Sequence, residues 1–381
     1  VLTYNPPQTI VSVTAQTPAD PFFLPAEAGY PAGLTDPSRF NPKLTNVLYQ
    51  PRDFQSARTQ GWFVSYAREF GPGMLLDVAY VGNKSSDLAM IANFNQAEAN
   101  NAAGTIPLSQ RARPIPEYGD ITYLFNAGKA DYHGIQTKYE WRMGSAVRLL
   151  NSLSLSRAMD NSSQSLEFAS GASPAPQDIN NLESEWALSG YHQPYNNTTS
   201  LIVALPFGRG RRWGNAISPA LDVLVGGWQL SGVNTITPGE QVNFTYTPSA
   251  TFIVSSVRDT WRGANNYRPN VTCDPMASKD ERSITHWFNT SCVSIPTDPS
   301  QPFGNAERNS VRGPGFWTFD LAAVKQVPVS GARIELRLEA FNLFNRVNFL
   351  APNANRSLPT FGTITGTNPP RQIQLGAKVS W

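Results

Sequence analysis

No window of this 381-residue chain approaches the roughly 18 consecutive apolar residues of a membrane-crossing helix. Charge is scarce too: Asp, Glu, Lys and Arg make up 15% of the residues and the net charge is +2, which gives no electrostatic footprint for nucleic acid. Histidine is limited to His133, His192 and His286, which are scattered, and neither HExxH nor GxSxG occurs. His133 lies near Asp131, a pairing that acid–base chemistry would use, but the local pattern reads it as a strand-end residue. No glycine-rich loop follows a strand to cradle a phosphate, so no enzyme and no cofactor is expected. Cysteine is limited to Cys273 and Cys292, within one long polar segment, with no CxxC and only His286 near by, which argues against a metal site. Either the two are free thiols or they form a loop disulfide in an oxidising compartment; a pair confined to one loop is cheap to close, which favours the bond. The chain opens on Val1 without a basic stretch leading into an apolar core, so no signal peptide is visible, and it reads as a C-terminal piece of a longer precursor.

What is present is alternation. The 40% hydrophobic residues are dealt out singly among Ser, Thr, Asn and Gln, while 31 Pro and 28 Gly gather between the alternating runs. Strand-like runs fall at 7–14, 60–70, 74–82, 131–143, 146–159, 191–205, 227–244, 315–329, 332–349 and 371–381. Tight turns are expected at Gly71-Pro72-Gly73, Gly144-Ser145 and Ser330-Gly331. Long stretches separate them at 15–59, 83–130, 160–190, 245–314 and 350–370, with one intermediate connection, 206–226, whose ISPALDVLVG makes a brief helix against the rim. Short and long links therefore alternate, which in an up-and-down meander puts every short link at one end. Bacterial outer-membrane barrels have that asymmetry, with short periplasmic turns and longer extracellular loops. The expected fold is an all-β, antiparallel up-and-down transmembrane β-barrel, of which this chain is about ten strands.

The faces agree with a wall between lipid and water. In 131–143, Ile135, Thr137, Tyr139, Trp141 and Met143 share one side, and Gln136, Lys138, Glu140 and Arg142 the other. Ile334, Leu336, Leu338 and Ala340 likewise alternate with Arg333, Glu335, Arg337 and Glu339. Past Ala340 the phase slips, and a β-bulge near 340–342 is expected. In the final run, Ile373, Leu375, Ala377, Val379 and Trp381 oppose Gln372, Gln374, Lys378 and Ser380. The lumen candidates are thus Gln136, Lys138, Glu140, Arg142, Arg333, Glu335, Arg337, Glu339, Gln372, Gln374 and Lys378. They either hold a plug or line a solute path, or they form a hydrated, self-paired wall; their mixed signs argue against a pore tuned to one ion charge. Aromatics near strand ends, among them Trp62, Tyr66, Tyr80, Trp141, Trp228 and Trp317, suit interfacial girdles. The basic turn GRGRRWG, 208–214, reads as a solvated periplasmic rim with anionic head groups within its reach. The long polar segments are expected to be exposed and mobile.

Several stretches carry a family resemblance. A chain that stops on a strand closing with an aromatic residue, here Trp381, is similar to the terminal signal read by the outer-membrane barrel-assembly machinery. EAFNLFNRVNF, 339–349, resembles the penultimate strand of TonB-dependent receptors, where an Asn-Leu-Phe-Asn element recurs. LLDVAYVGNKSSDL, LPFGRGRRWG with GGWQLSG, YRPNVTCDP and FGNAERNSVRGPGFWTFDLAAVKQ resemble the Oar-like subfamily, and together they cover most of 47–381. The resemblance implies that 1–381 is the C-terminal portion of a barrel of about 22 strands, located in the bacterial outer membrane. It also implies an N-terminal plug domain and a TonB-type energy-coupling protein as partners, neither visible here, and a bulky scarce solute such as an iron chelate or an oligosaccharide. A surface adhesion or export-assisting barrel and a passive porin are the other readings.

Overall fold

The computed structural model describes residues 47–96, 113–163, 175–247, 267–298, 303–329 and 331–381. The strand expected at 7–14 lies outside these residues. Nine long strands make the wall: β1 Arg58–Gly71, β2 Met74–Asn93, β3 Ile121–Met143, β4 Val147–Asp160, β5 Tyr195–Ala204, β6 Trp228–Thr237, β7 Phe316–Val329, β8 Ala332–Phe341 and β9 Gln372–Ser380. Each pairs antiparallel with the next in chain order, so the sheet is an uninterrupted meander. Two short strands, Val47–Tyr49 and Ala187–Leu188, add to it beside β3 and β4. Among the described residues the sheet does not close: β1 pairs only with β2 and β9 only with β8.

The alternation of link lengths is real. At one end β1–β2, β3–β4 and β7–β8 turn over two or three residues, and Gly73, Gly144 and Gly331 take the left-handed φ of 72°, 53° and 76° that these turns need. At the same end 205–227 carries a short helix, α1, Pro219–Val225, capped by Ser218. Every long link leaves from the other end.

Three boundaries differ from the sequence reading. The stretch taken as a loop at 83–130 is strand up to Asn93 and again from Ile121, so β2 and β3 run far past the 9–11 residues that cross a bilayer. Register shifts near Leu88, with Asp87 at φ 57°, broke the alternation that would have revealed this. The run 332–349 stops at Phe341, and no bulge lies at 340–342. The chain instead turns through Asn342 and Asn345, both at φ 51°. Asparagine tolerates that region because its short amide bonds locally: the Asn342 side chain both accepts from Arg346 N–H (3.0 Å) and donates to Arg346 O (2.9 Å). The run 227–244 likewise ends as a wall strand at Thr237.

A further difference concerns the loops. Along its bilayer-height part the wall has no core, and every residue of β9 is exposed; where β2 and β3 run on past it, Met90, Ala92 and Phe125 are buried against Ile179 and Leu182 of a link. The other buried apolar residues gather in the long links, in two clusters: Phe244 and Phe288 with Val242, Val293, Val311 and Phe361, and Tyr246 with Tyr267. The described parts of the loops are a folded cap, not a mobile fringe.

Candidate functional site

Directly opposed residues of an antiparallel pair share a face, so one face can be followed across all eight junctions. From Arg337 it runs through Val324, Gln229, Ala204, Arg148, Arg142 and Glu140 to Leu75 and Glu69 on β1. In the other direction Arg333, Glu335, Arg337 and Glu339 oppose Ser380, Lys378, Gly376 and Gln374, and Phe341 opposes Gln372. Gln136, Lys138, Glu140, Arg142, Arg333, Glu335, Arg337, Glu339, Gln372, Gln374 and Lys378 therefore fall on a single face. Its charges pair two residues apart along the strand. Glu140 meets Arg142, and Lys138 at 3.7 Å; Arg337 meets Glu335 at 2.9 Å and Glu339 at 3.4 Å.

The opposite face is aliphatic and aromatic, and its charges sit only at its two rims. Arg58, Lys84, Asp131 and Arg157 stand toward the long-loop end, Arg68 and Lys325 toward the short-turn end. Between them β3 offers Ile135, Thr137, Tyr139, Trp141 and Met143, and β8 offers Ile334, Leu336, Leu338 and Ala340. About ten residues at ~3.4 Å, tilted by ~40–45°, give an uncharged band of roughly 25 Å, the height of a barrel's apolar belt. Aromatics border it: Trp62, Tyr80 and Trp317 toward the loops, Trp141 and Trp228 toward the turns. Among the polar residues within the band, Asn151 pairs with Thr199 (2.7 Å), which donates to Asn197 Oδ1 (3.4 Å), and Asn234 pairs with the Trp317 indole (2.7 Å). His133 belongs to this face, not to an interior site. Its Nδ1 lies 2.7 Å from the Tyr80 hydroxyl and its Nε2 3.1 Å from Asp131, so it ties neighbouring strands at the aromatic rim.

At the long-loop end the cap is fastened to the polar face. Asp160, the last residue of β4, lies on that face and meets Arg308, which reaches Glu185 at 3.5 Å. Glu185 is 1% exposed and accepts two bonds from Arg268 Nη1 (2.9 and 2.8 Å) and one from Gln177 N–H (2.9 Å). Gln177 in turn accepts from Arg268 N–H (2.7 Å) and donates to Gly304 O (3.1 Å), and Gln96 donates to Gln177 O (3.0 Å). Three separate links and the end of β4 are joined in this one buried network, with the charges compensated as burial requires.

Asparagine amides replace strand partners at the margins. Asn348 accepts from Trp317 N–H and donates to Trp317 O (3.0 and 2.9 Å). Asn126 does the same for Gln55, and Asn305 for Val271. The Asn-Leu-Phe-Asn turn binds its neighbours similarly: Asn342 N–H donates to Asp320 of β7 (2.8 Å), Asn345 Oδ1 accepts from Arg371 N–H (3.0 Å), and Phe344 stacks on Trp317 at 5.6 Å. Cys273 and Cys292 are joined by a disulfide, with Cα atoms 5.2 Å apart, and Cys292 packs into the cap core. Trp381 follows the last residue of β9 and is 96% exposed. Among the described residues no group of three or more His, Cys, Asp or Glu is placed to hold a metal ion.

Sequence reasoning did not single out Asp160, Glu185, Arg268 or Arg308. None lies in a periodic pattern, and Arg268 and Glu185 stand 83 positions apart.

The comparisons with known proteins follow the same lines. In fold the chain is similar to the FrpB iron transporter of Neisseria meningitidis (F3-3 variant), at 12% identity and a TM-score of 0.41, over 87% of this chain and 32% of that one. It is similar to the outer membrane transporter YddB of Escherichia coli at 8% identity and a TM-score of 0.46, over 88% and 34%. It is also similar to BauA, the ferric preacinetobactin receptor of Acinetobacter baumannii, at 10% identity and a TM-score of 0.39, over 84% and 29%. The chain thus spans about a third of the length of these proteins. No curated protein matches it. The family model described as an outer membrane beta barrel domain matches residues 1–374. With its meandering wall, uncharged belt and sorted links, the chain belongs to that outer membrane beta barrel family, and its place is the outer membrane.

Proposed function

We propose that this chain is the C-terminal part of the wall of a TonB-dependent transporter of the Oar-like kind, taking up a bulky, scarce solute such as an iron chelate or an oligosaccharide. The observation that carries the reading is the pair of faces held in register across eight junctions. One is charged and internally paired, the other uncharged over a bilayer's height. On this reading the polar face is the lumen wall. Glu140, Arg142, Glu335, Arg337 and Glu339 supply donors and acceptors of both signs, suited to gripping a folded plug rather than to passing one kind of ion. Among the described residues β1 and β9 each lack a second strand partner, and in lipid their backbone groups need one, which suits a wall larger than these nine strands. Trp381 serves as the assembly signal, and a coupling protein acts through the plug.

Planar-bilayer conductance of the complete receptor tests this. A plugged transporter stays closed in salt solution and conducts once the plug is deleted. Open, stepwise channels from the intact receptor would instead establish the passive porin. Energised uptake is then measured with radiolabelled ferric chelates and labelled oligosaccharides, with and without an uncoupler. Accumulation that ignores the uncoupler, or none of either probe, removes the transport assignment in favour of a surface role.

A further inference from the structure

The link 205–227 is the one connection at the short-turn end that is not a tight turn, and neither face of the wall accounts for it. Its helix α1 has a definite seat. Trp228 and Lys325 are opposed in register on the aliphatic face. The Trp228 indole N–H donates to Leu224 O at 2.9 Å, and the Lys325 ammonium, 5.6 Å from the Trp228 ring, donates to Gly226 O at the helix end. Lys325 is only 4% exposed, so its charge is hidden under the helix instead of facing lipid. The helix therefore lies outside the wall, at the rim, and not beneath the interior.

Away from that seat the link is apolar and basic at once. Leu221, Val223, Leu224 and Val225 are exposed, Leu224 at 70%, and so are Phe207 and Trp213, whose rings meet at 5.2 Å. Arg209, Arg211 and Arg212 are exposed beside them. The only acid in the link is Asp222, whose carboxylate is taken by Arg209 N–H at 2.7 Å. Three arginines against one engaged aspartate leave a positive surface, continuous with the aliphatic belt through Trp228. Such a pairing of apolar side chains and arginines suits the boundary between acyl chains and phosphates.

We infer that 205–227 is an interfacial foot: α1 and the Phe207–Trp213 pair enter the acyl-chain boundary of the inner leaflet, while Arg209, Arg211 and Arg212 bind anionic phospholipid head groups. The inference rests on the aliphatic face being the lipid face. The test is collision depth-measurement with a nitroxide at Leu224→Cys in the complete protein reconstituted in vesicles, with Cys273 and Cys292 bonded to each other and any other cysteine replaced by Ser. Leu338→Cys, in mid-belt on β8, is the control, and Val223→Cys is a second foot position should the first fail to fold. In phosphatidylglycerol-containing vesicles the foot label should lie roughly 5–10 Å below the phosphates, open to oxygen and closed to a nickel chelate. Arg209→Gln, Arg211→Gln and Arg212→Gln together should move it toward water in those vesicles and leave it unmoved in pure phosphatidylcholine. A foot label open to the nickel chelate, or shielded from both reagents as by a protein partner, overturns the inference while the control stays lipid-exposed. A triple variant with unaltered depth overturns the head-group contact. A water-exposed Leu338 label would sink the face assignment itself.

Discussion

Replacing Glu185 by Ala should loosen the cap without disturbing the wall. In the native cap this carboxylate is 1% exposed, takes two bonds from Arg268 and one from Gln177 N–H, and stands 3.5 Å from Arg308. Removing it leaves the 3%-exposed Arg268 with a buried, uncompensated charge. Breaking one side of a buried ion pair costs about 3–5 kcal/mol. At about 1.4 kcal/mol per tenfold, the local opening equilibrium should rise by roughly 10²–10⁴. Native-state hydrogen exchange in bilayers or detergent reads this directly. Amides of Gln177, Arg268 and Gly304 should lose that much protection, and amides of β4 to β6 should keep theirs, because the wall ladders do not pass through Glu185. Replacing Glu185 by Leu together with Arg268 by Met should recover much of the loss, since no charge is then stranded. A change below about tenfold on Glu185→Ala would refute the reasoning, and so would equal loss along β4 to β6.

Three further outcomes are expected. Single cysteines at 333, 335, 337 and 339 should react with a small water-soluble thiol reagent in the membrane-inserted protein and those at 334, 336 and 338 should not; equal labelling of both sets would overturn the assigned faces. Replacing Cys273 by Ser, which opens a link between residues 19 apart, should destabilise the cap by about 3 kcal/mol, seen as faster exchange at Val271 and Val293, and non-reducing mass spectrometry of the native protein should find the two cysteine peptides linked. His192 is buried, which holds its pKa below the ordinary 6.5, with Arg312 and Arg157 adding to the effect, and its Nδ1 accepts from Ala158 N–H at 3.2 Å. The opened loop therefore takes up a proton more readily than the folded one, so stability present above about pH 6.5 is lost as the pH falls through the folded value. Proteolysis in 161–194 should accelerate between about pH 7.5 and pH 5, and His192→Gln should flatten that dependence.

The wall was legible because its physics is local. Alternation in 131–143 and 332–340 needs only the two-residue period of a strand, and the turn glycines announce the ends. The eleven charged and polar positions named from the sequence do share one face, since register only propagates the same parity from strand to strand. The misses have separate causes. Beyond Lys84 the alternation gives way to Ser85-Ser86-Asp87, where a left-handed Asp87 and register shifts break parity, so strand was read as loop. In EAFNLFNRVNF the apolar residues continue past Phe341, but the polypeptide does not stay extended. Two asparagines turn it, and Phe344 packs on Trp317. The cap was invisible because its contacts join residues far apart. Glu185 finds Arg268, Arg308 finds Asp160 across 148 positions, and Phe244 finds Phe361. No periodicity marks such a core.

Wall and cap are consequently stabilised by different solvents. The belt side chains, Leu336 and Leu375 among them, are exposed until acyl chains cover them, so the wall depends on the bilayer. The cap buries its own aromatics and its own ion pairs and needs no lipid. The two meet at polar ties, Asp160 with Arg308, Asp320 with Asn342 N–H and Trp317 with the Asn348 amide, and at an apolar seam where Met90 and Phe125 pack with Ile179 and Leu182. A cap that is already packed before anything touches it presents fixed groups to the outside. Each side chain ordered in advance spares a binding event about 0.5–1.5 kcal/mol of immobilisation. A fringe of mobile loops would have to supply that on contact. The described part of the cap is therefore ordered by its own contacts, and loosening it through Glu185 should raise hydrogen exchange in the cap before it reaches the wall.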